Sequence, residues 1–181
     1  MNNQGMKIRA ARIADAPAIC DLVNYWAERG RMLHRSLESV YQSLRDFLVA
    51  EDGDGAVAGC VAMGIYWANL AEVKSLAVAH AARGKGVGGA LTKAIIAQAR
   101  KLGVGKLFAL TYEKDFFSRY GFEVIDRSLL PEKVWQACIY CPKAECCDEV
   151  AMMLSLQKRR AAPAVAVRAL ARRRRGTKRA R

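Results

Sequence analysis

The sequence predicts a mixed α/β domain: an antiparallel meander of strands, then one crossover helix and further strands. Three observations predict it. Strand-length apolar runs at 47–51, 56–66 and 71–78 follow one another, with a hairpin-type turn, Asp52-Gly53-Asp54-Gly55, between the first two. One long helical pattern, with Leu91, Ile95, Ala99 and Leu102 on a single face, separates that meander from the next strand. The resulting order, β-α-α-β-β-β-α-β-α-β with a final strand, is not the regular alternation of a doubly wound sheet. With 181 residues, 52% of them apolar, the chain is long enough for one well-cored domain, and it shows no internal repeat.

Each element has a local reason. Residues 7–11 read as a short strand. Asp15 offers a helix N-cap, with Pro17 in the first turn where its missing N–H costs nothing. Ile19, Leu22, Val23 and Trp26 follow at helical spacing, and Gly30 ends that helix. Ser36 is placed to cap a second helix carrying Leu37, Val40, Tyr41 and Leu44. After the long helix, closed by Gly103, residues 106–110 form a strand. Asp115 is expected to cap a short helical turn, FFSRY, before a strand at 122–125. Pro131 opens a short helix, and 150–156 is the last strand.

The net charge of +13 is unevenly placed. Residues 158–181 hold eleven of the 30 basic residues and no acid, which leaves 19 basic against 17 acidic residues elsewhere. This stretch has too little large apolar surface to order itself. It reads as a disordered basic tail, 158–181, on a domain of residues 1–157. Such a tail attracts polyanions non-specifically and does not by itself define a nucleic-acid-binding protein. No apolar run approaches the ~20 residues of a membrane span. MNNQGMKIRAARIAD lacks the apolar segment of a secretory signal, so a cytoplasmic location is expected. A disulfide framework among Cys20, Cys60, Cys138, Cys141, Cys146 and Cys147 is then not expected. CIYCPKAECC has metal-like spacing only in its first pair, so thiols rather than a zinc site are the reading and no metal is assigned.

The chemistry concentrates in AVAHAARGKGVGGALTKAI, residues 77–95. Gly84, Gly86 and Gly89 fit the dinucleotide pattern G-x-G-x-x-G. Two features argue against a nicotinamide site: a linker, AHAAR, separates the strand from the first glycine, and the unit sits mid-chain after a meander. A P-loop is excluded because Lys85 is followed by Gly86 rather than Ser or Thr. What remains is physical. A turn without Cβ atoms lets backbone N–H groups approach an anion, and the following helix directs its positive end there. Arg83 and Lys85 add full charges, so the turn suits a pyrophosphate.

These residues resemble a known family. Arg83-Gly84-Lys85-Gly86-Val87-Gly88 has the form Arg/Gln-x-x-Gly-x-Gly/Ala, the pyrophosphate turn of the GNAT superfamily of acetyl-coenzyme A N-acetyltransferases. AEVKSLAV resembles that family's central splayed strand, and FFSRYGF its cofactor-flanking helix. The likeness covers roughly residues 6–156. A narrower likeness, to the single-domain N-acetylglutamate synthases of arginine biosynthesis, is carried by RMLHRSLESVYQSLRDFLVAE, AEVKSLAV and LLPEKVWQACIYCPKAECCDEVAM, with His34 where proline is expected.

The resemblance implies a GNAT fold, acetyl-coenzyme A as cosubstrate and an amino-acid acceptor, L-glutamate. It implies that backbone groups of Leu76, Ala77 and Val78 hold the pantetheine arm. Arg83, Gly84, Lys85, Gly86, Val87, Gly88, Gly89 and Phe117 complete the cofactor site. Glu72 takes the position of a general base acting through water; strand alternation sets it on one face with Lys74 and Leu76. The family's acid is the tyrosine of Phe-Tyr, here replaced by Phe117. Tyr112 is assigned instead, with Tyr120 or water as alternatives. Arg35 can grip an acceptor carboxylate with two hydrogen bonds, assisted by Ser36 and Lys74. A different acceptor amine, or a polyanion-binding module working through the tail, are the competing functions; assembly as a homodimer is left open.

Overall fold

The computed structural model describes residues 5–131 and 147–156. The expected tail, the helix at Pro131 and Cys138, Cys141 and Cys146 lie outside the described residues. Seven strands form one mixed sheet: β1 (Lys7–Ala10), β2 (Phe47–Glu51), β3 (Val57–Trp67), β4 (Leu70–Val78), β5 (Lys106–Thr111), β6 (Glu123–Val124) and β7 (Val150–Ser155). Their order is β1-β2-β3-β4-β5-β7-β6, and only β4 and β5 run parallel. The long meander followed by one crossover is the predicted architecture.

The helices are α1 (Ala16–Ala27), α2 (Leu37–Gln42), α3 (Val87–Lys101) and α4 (Lys114–Ser118). In α1, Ala16, Ile19, Val23 and Ala27 form the buried stripe. Ala16, Ile19 and Val23, with Val40 of α2, cover one sheet face, made of Phe47, Val49, Cys60, Ala62 and Ala77. On the other face Val87, Leu91, Ile95 and Ala99 of α3 pack on Val61, Met63, Ala71 and Val73. Gly59 permits this contact, because a Cβ there would press on Val87, Leu91 and the Ala77 carbonyl at 3.0–3.1 Å.

Several local expectations change. Ser36 does cap α2, its Oγ accepting from the Ser39 N–H at 3.1 Å. Asp15 stands before α1 but caps nothing in it. A single 3-10 turn, Ile13–Asp15, already precedes the helix, and the carboxylate turns back to the Arg12 N–H. Asp115 lies inside the first turn of α4, which starts at Lys114. The strand after α4 shrinks to two residues, the length over which it pairs with Met152 and Met153 of β7.

Asp15 instead joins the start of α1 to the sheet edge. Arg9 of β1 pairs with its carboxylate at 2.6 Å and with Glu51 of β2 at 2.5 Å, and the Arg9 and Asp15 side chains are each only 10% exposed. The Arg9 hydrogen bond holds the Asp15 carboxyl below its ordinary value. A carboxylate with a depressed folded pKa contributes stability above its unfolded pKa, near 3.9, and loses it as pH falls through the folded value. Asp15→Asn, which leaves Arg9 with Glu51 as its remaining acid partner, is expected to cost about 1–2 kcal/mol at pH 7. The gap to wild type should narrow below about pH 4. Urea unfolding across that range measures it, and a pH-independent gap contradicts the assignment.

Candidate active site

The site is built where β4 leaves β5. Their parallel pairing covers only Leu70↔Lys106, Ala71↔Leu107 and Glu72↔Phe108. Just beyond it β4 carries an extra residue: Ala62 of β3 pairs with Lys74, but Cys60 pairs with Ala77. Ser75 sits in this bulge at φ 53°, the one non-glycine positive φ among the described residues. Bulges bend a strand, and here the strand parts from its parallel neighbour.

The bulge also corrects an expectation. Glu72 and Lys74 face the α1–α2 side, but Leu76 does not join them; it packs against the α3-side core. The extra residue inverts the alternation. Ala77 pairs with Cys60, and two residues on the Ala79 N–H donates to the Ala58 carbonyl at 2.9 Å, so both backbones are turned toward β3. Alternation then sets the backbone groups of Leu76 and Val78 on the edge facing β5. The Val78 carbonyl accepts from Trp26 Nε1 of α1 at 2.9 Å.

A cleft of about 1490 Å³ occupies the gap, lined from β4, the glycine turn, α3, α4 and the loop before α2. The turn follows a 3-10 turn, His80–Ala82. Gly84 and Gly86 have φ of 74° and 83°, and Gly86 is the N-cap of α3. This left-handed geometry is the reason for glycine at both positions. The first amides of α3, from Val87, Gly88 and Gly89, have no partner within the helix and point at the cleft end. Gly89 is glycine for a different reason: the Tyr120 hydroxyl fills the space a Cβ would need. Arg83 lies with its guanidinium 5.1 Å from the Trp26 ring, whereas Lys85 is exposed and off the cleft wall. Phe117 is buried, edge-on to Phe116 and Phe122, and meets the cleft from the core side. Lys93 and Arg119 also line the cleft.

The other end of the cleft gathers titratable side chains. Glu72 is partly buried and accepts a 2.7 Å hydrogen bond from the Tyr66 hydroxyl. Burial raises its pKa; Tyr66, Lys74 and Arg35 oppose the rise and Glu149 adds to it. Tyr112 closes β5, and burial, with Glu149 and Asp148 next, pushes its pKa up to about 12. Arg35 is clamped through its backbone, its N–H donating to Asn24 Oδ1 and its carbonyl accepting from Asn24 Nδ2, both at 2.9 Å. Its guanidinium donates to Ser43 Oγ at 2.8 Å, to the Ser39 carbonyl at 3.2 Å and to Ser75 Oγ at 3.4 Å. Burial lowers its pKa. Among the described residues it has no ion-pair partner. Ser36, also on the wall, already uses its Oγ as the α2 cap. Arg31 and Glu113 form an ion pair joining the loop after α1 to the end of β5.

Trp26, Tyr66, Lys93 and Arg119 have no local sequence signal of function. Trp26 and Tyr66 read as ordinary apolar-face and strand residues, because their partners lie across the sheet. Among the described residues no group of His, Cys, Asp and Glu is arranged to hold a metal. No described helix is long and apolar enough to cross a membrane.

A splayed parallel strand pair, with a glycine turn opening a helix beside a cluster of titratable side chains, suits a transferase that works on a phosphorylated acyl carrier. Comparison with known proteins specifies it. An acetyltransferase (GNAT) domain family matches residues 43–124. An uncharacterised N-acetyltransferase from Chlorobaculum tepidum is 42% identical over 149 residues, covering 82% of this chain and 96% of that protein. An amino-acid acetyltransferase from Mycobacterium tuberculosis is 36% identical over 130 residues, covering 71% of this chain and 74% of that protein. The N-acetylglutamate synthase of Neisseria gonorrhoeae, solved with coenzyme A and N-acetyl-glutamate, superposes with a TM-score of 0.76 at 30% identity. That match covers 84% of this chain but 35% of the synthase. The chain belongs to the GNAT N-acetyltransferases, which use acetyl-coenzyme A.

Placing an L side chain in the left-handed region costs roughly 1–2 kcal/mol. Gly86→Ala is therefore expected to weaken coenzyme A binding about tenfold. Titration calorimetry measures this, and an unchanged affinity contradicts a role for the turn's geometry.

Proposed function

We propose that this enzyme acetylates the α-amine of L-glutamate, giving N-acetyl-L-glutamate and coenzyme A, in the cytoplasm as the first step of arginine biosynthesis. The observation that carries the proposal is Arg35. A half-buried guanidinium held by hydroxyls and a carbonyl, with Asp46 and Glu72 acting only through space and no acid in ion-pair contact among the described residues, is a receptor for a carboxylate. The relatives named amino-acid acetyltransferase, and the synthase structure holding N-acetyl-glutamate, support it.

The proposed roles draw on placement. Acetyl-coenzyme A supplies an activated thioester. The amides opening α3, with Arg83, hold its diphosphate, and the β5-facing groups of Leu76 and Val78 hold the pantetheine arm. Arg35 takes one acceptor carboxylate, and Lys74 lies on the same sheet face for the other. Glu72, its pKa raised by burial, takes a proton from the ammonium through water. Tyr112, kept protonated, returns a proton to the leaving thiolate. The amine attacks directly once both substrates are bound.

A thiol-release assay with acetyl-coenzyme A against a panel of amino acids, polyamines and peptides tests the acceptor. L-Glutamate should give the highest kcat/KM; a preference for an amine without a carboxylate would overturn the reading. Arg35→Ala should raise the KM for glutamate about 10- to 100-fold, the worth of a charge-assisted hydrogen bond, and change that for acetyl-coenzyme A less than twofold. Equal effects on both would remove Arg35 from the acceptor pocket.

A further inference from the structure

We infer that Tyr66 is a positioning residue for Glu72, fixing which carboxylate oxygen faces the reaction and keeping that carboxylate ionised inside the cleft. The inference rests on the reading of Glu72 as the base.

Tyr66 is itself the product of a register shift. Ile65 of β3 pairs with Ala71 and Trp67 pairs with Leu70, so Tyr66 is an inserted residue at which the register shifts. Gly64 pairs with Glu72, so Tyr66 lies on the same sheet face two residues along. Its ring packs at 5.7 Å on Phe108 and against the small core of Leu70, Phe108, Leu130 and Ala151. The hydroxyl is thus presented on a packed ring and donates to Glu72 Oε2 at 2.7 Å.

Such a bond has two consequences. The terminal torsion of a glutamate is broad and nearly two-fold, so a free carboxylate turns easily. Engaging Oε2 stops that rotation. No donor among the described residues engages Oε1, which is left for the water or ammonium. A phenol O–H bonded to a carboxylate also favours its ionised form. Among the described residues, three charged groups act on Glu72. Lys74 comes from its own strand, Arg35 from the loop before α2, and Glu149 from the segment before β7. The Lys74 ammonium lies 6.0 Å from the Tyr66 ring centre, in space that Gly64 leaves open; a Cβ on Gly64 would meet Nζ at 2.7 Å. Tyr66 is therefore the group that touches the carboxylate, while Lys74 and Arg35 act through space.

The test is the pH dependence of kcat/KM for L-glutamate, or for the amine the panel selects, in Tyr66→Phe. A base must be ionised, so losing the bond should move the acid limb upward by about one pH unit, a tenfold loss below the limb. The rate above the limb should stay near wild type. Replacing Tyr66 by 3,5-difluorotyrosine, a more acidic phenol of nearly the same shape, should move the limb downward. Glu72→Gln should lose activity at every pH, and adding Tyr66→Phe to it should cost nothing more. An unmoved limb in both Tyr66 variants, or a uniform fall in rate without a shift, overturns the positioning role while an inactive Glu72→Gln keeps the base. A fully active Glu72→Gln overturns the base reading and this inference with it.

Discussion

The separation of β4 from β5 is the constraint on which the rest of the molecule depends. A parallel pair that stayed together would spend the backbone groups of Leu76 and Val78 on the ladder and leave no cleft. Pairing stops instead at Glu72↔Phe108, and Ser75 follows at φ 53°. A non-glycine residue in that region costs on the order of 1–3 kcal/mol unless its surroundings hold it. Here they do: the Ser75 carbonyl accepts from the Cys60 thiol, and its hydroxyl takes a bond from Arg35. The strained residue of the bulge and the proposed carboxylate receptor are thus the same assembly.

The bulge also sorts the chemistry between the sheet's two faces. Before it, Glu72 and Lys74 face α1 and α2. After it, Leu76 and Val78 pack toward α3, whose N-terminus is the proposed diphosphate end. In the proposed reading, donor and acceptor approach from different sides and meet at the gap. Trp26 ties the sides together. It belongs to α1, yet its indole bonds the Val78 carbonyl and its ring lies beneath Arg83. The donor side is thereby braced from the acceptor face.

Much of this was legible in the sequence. Periodicity located the seven strands and the four helices of the described residues within a few positions, and the glycine turn was legible because φ above zero has a residue-level signature. Ser36 as a cap was legible because helix N-caps favour a short hydroxyl side chain. What was not legible depends on register. Asp15 reads as a cap from its neighbours, but Arg9, six residues away and across a turn, competes for its carboxylate. Leu76 reads as the partner of Glu72 until an extra residue intervenes. Tyr66 cannot be connected to Glu72 without knowing that β3 carries its own extra residue opposite Leu70 and Ala71. An inserted residue leaves no mark in an apolar run, yet it inverts every facing beyond it.

Charge gives the two ends of the cleft a common logic. Outside residues 158–181 the chain is nearly neutral, with 19 basic and 17 acidic residues, so cations without acid partners inside a cleft are a local choice and not a consequence of composition. Burying a guanidinium among hydroxyls disfavours its charged state, as the lowered pKa of Arg35 records. A carboxylate bound beside it, as proposed, would offset that cost by Coulombic attraction. The same burial raises Glu72 toward neutrality, where it could not serve as the proposed base. A second cation in contact would hold it ionised but would also compete for the carboxylates of the proposed acceptor. A phenol does neither harm: Tyr66 donates one hydrogen bond, adds no charge, and leaves the positive field of Arg35 and Lys74 for the substrate.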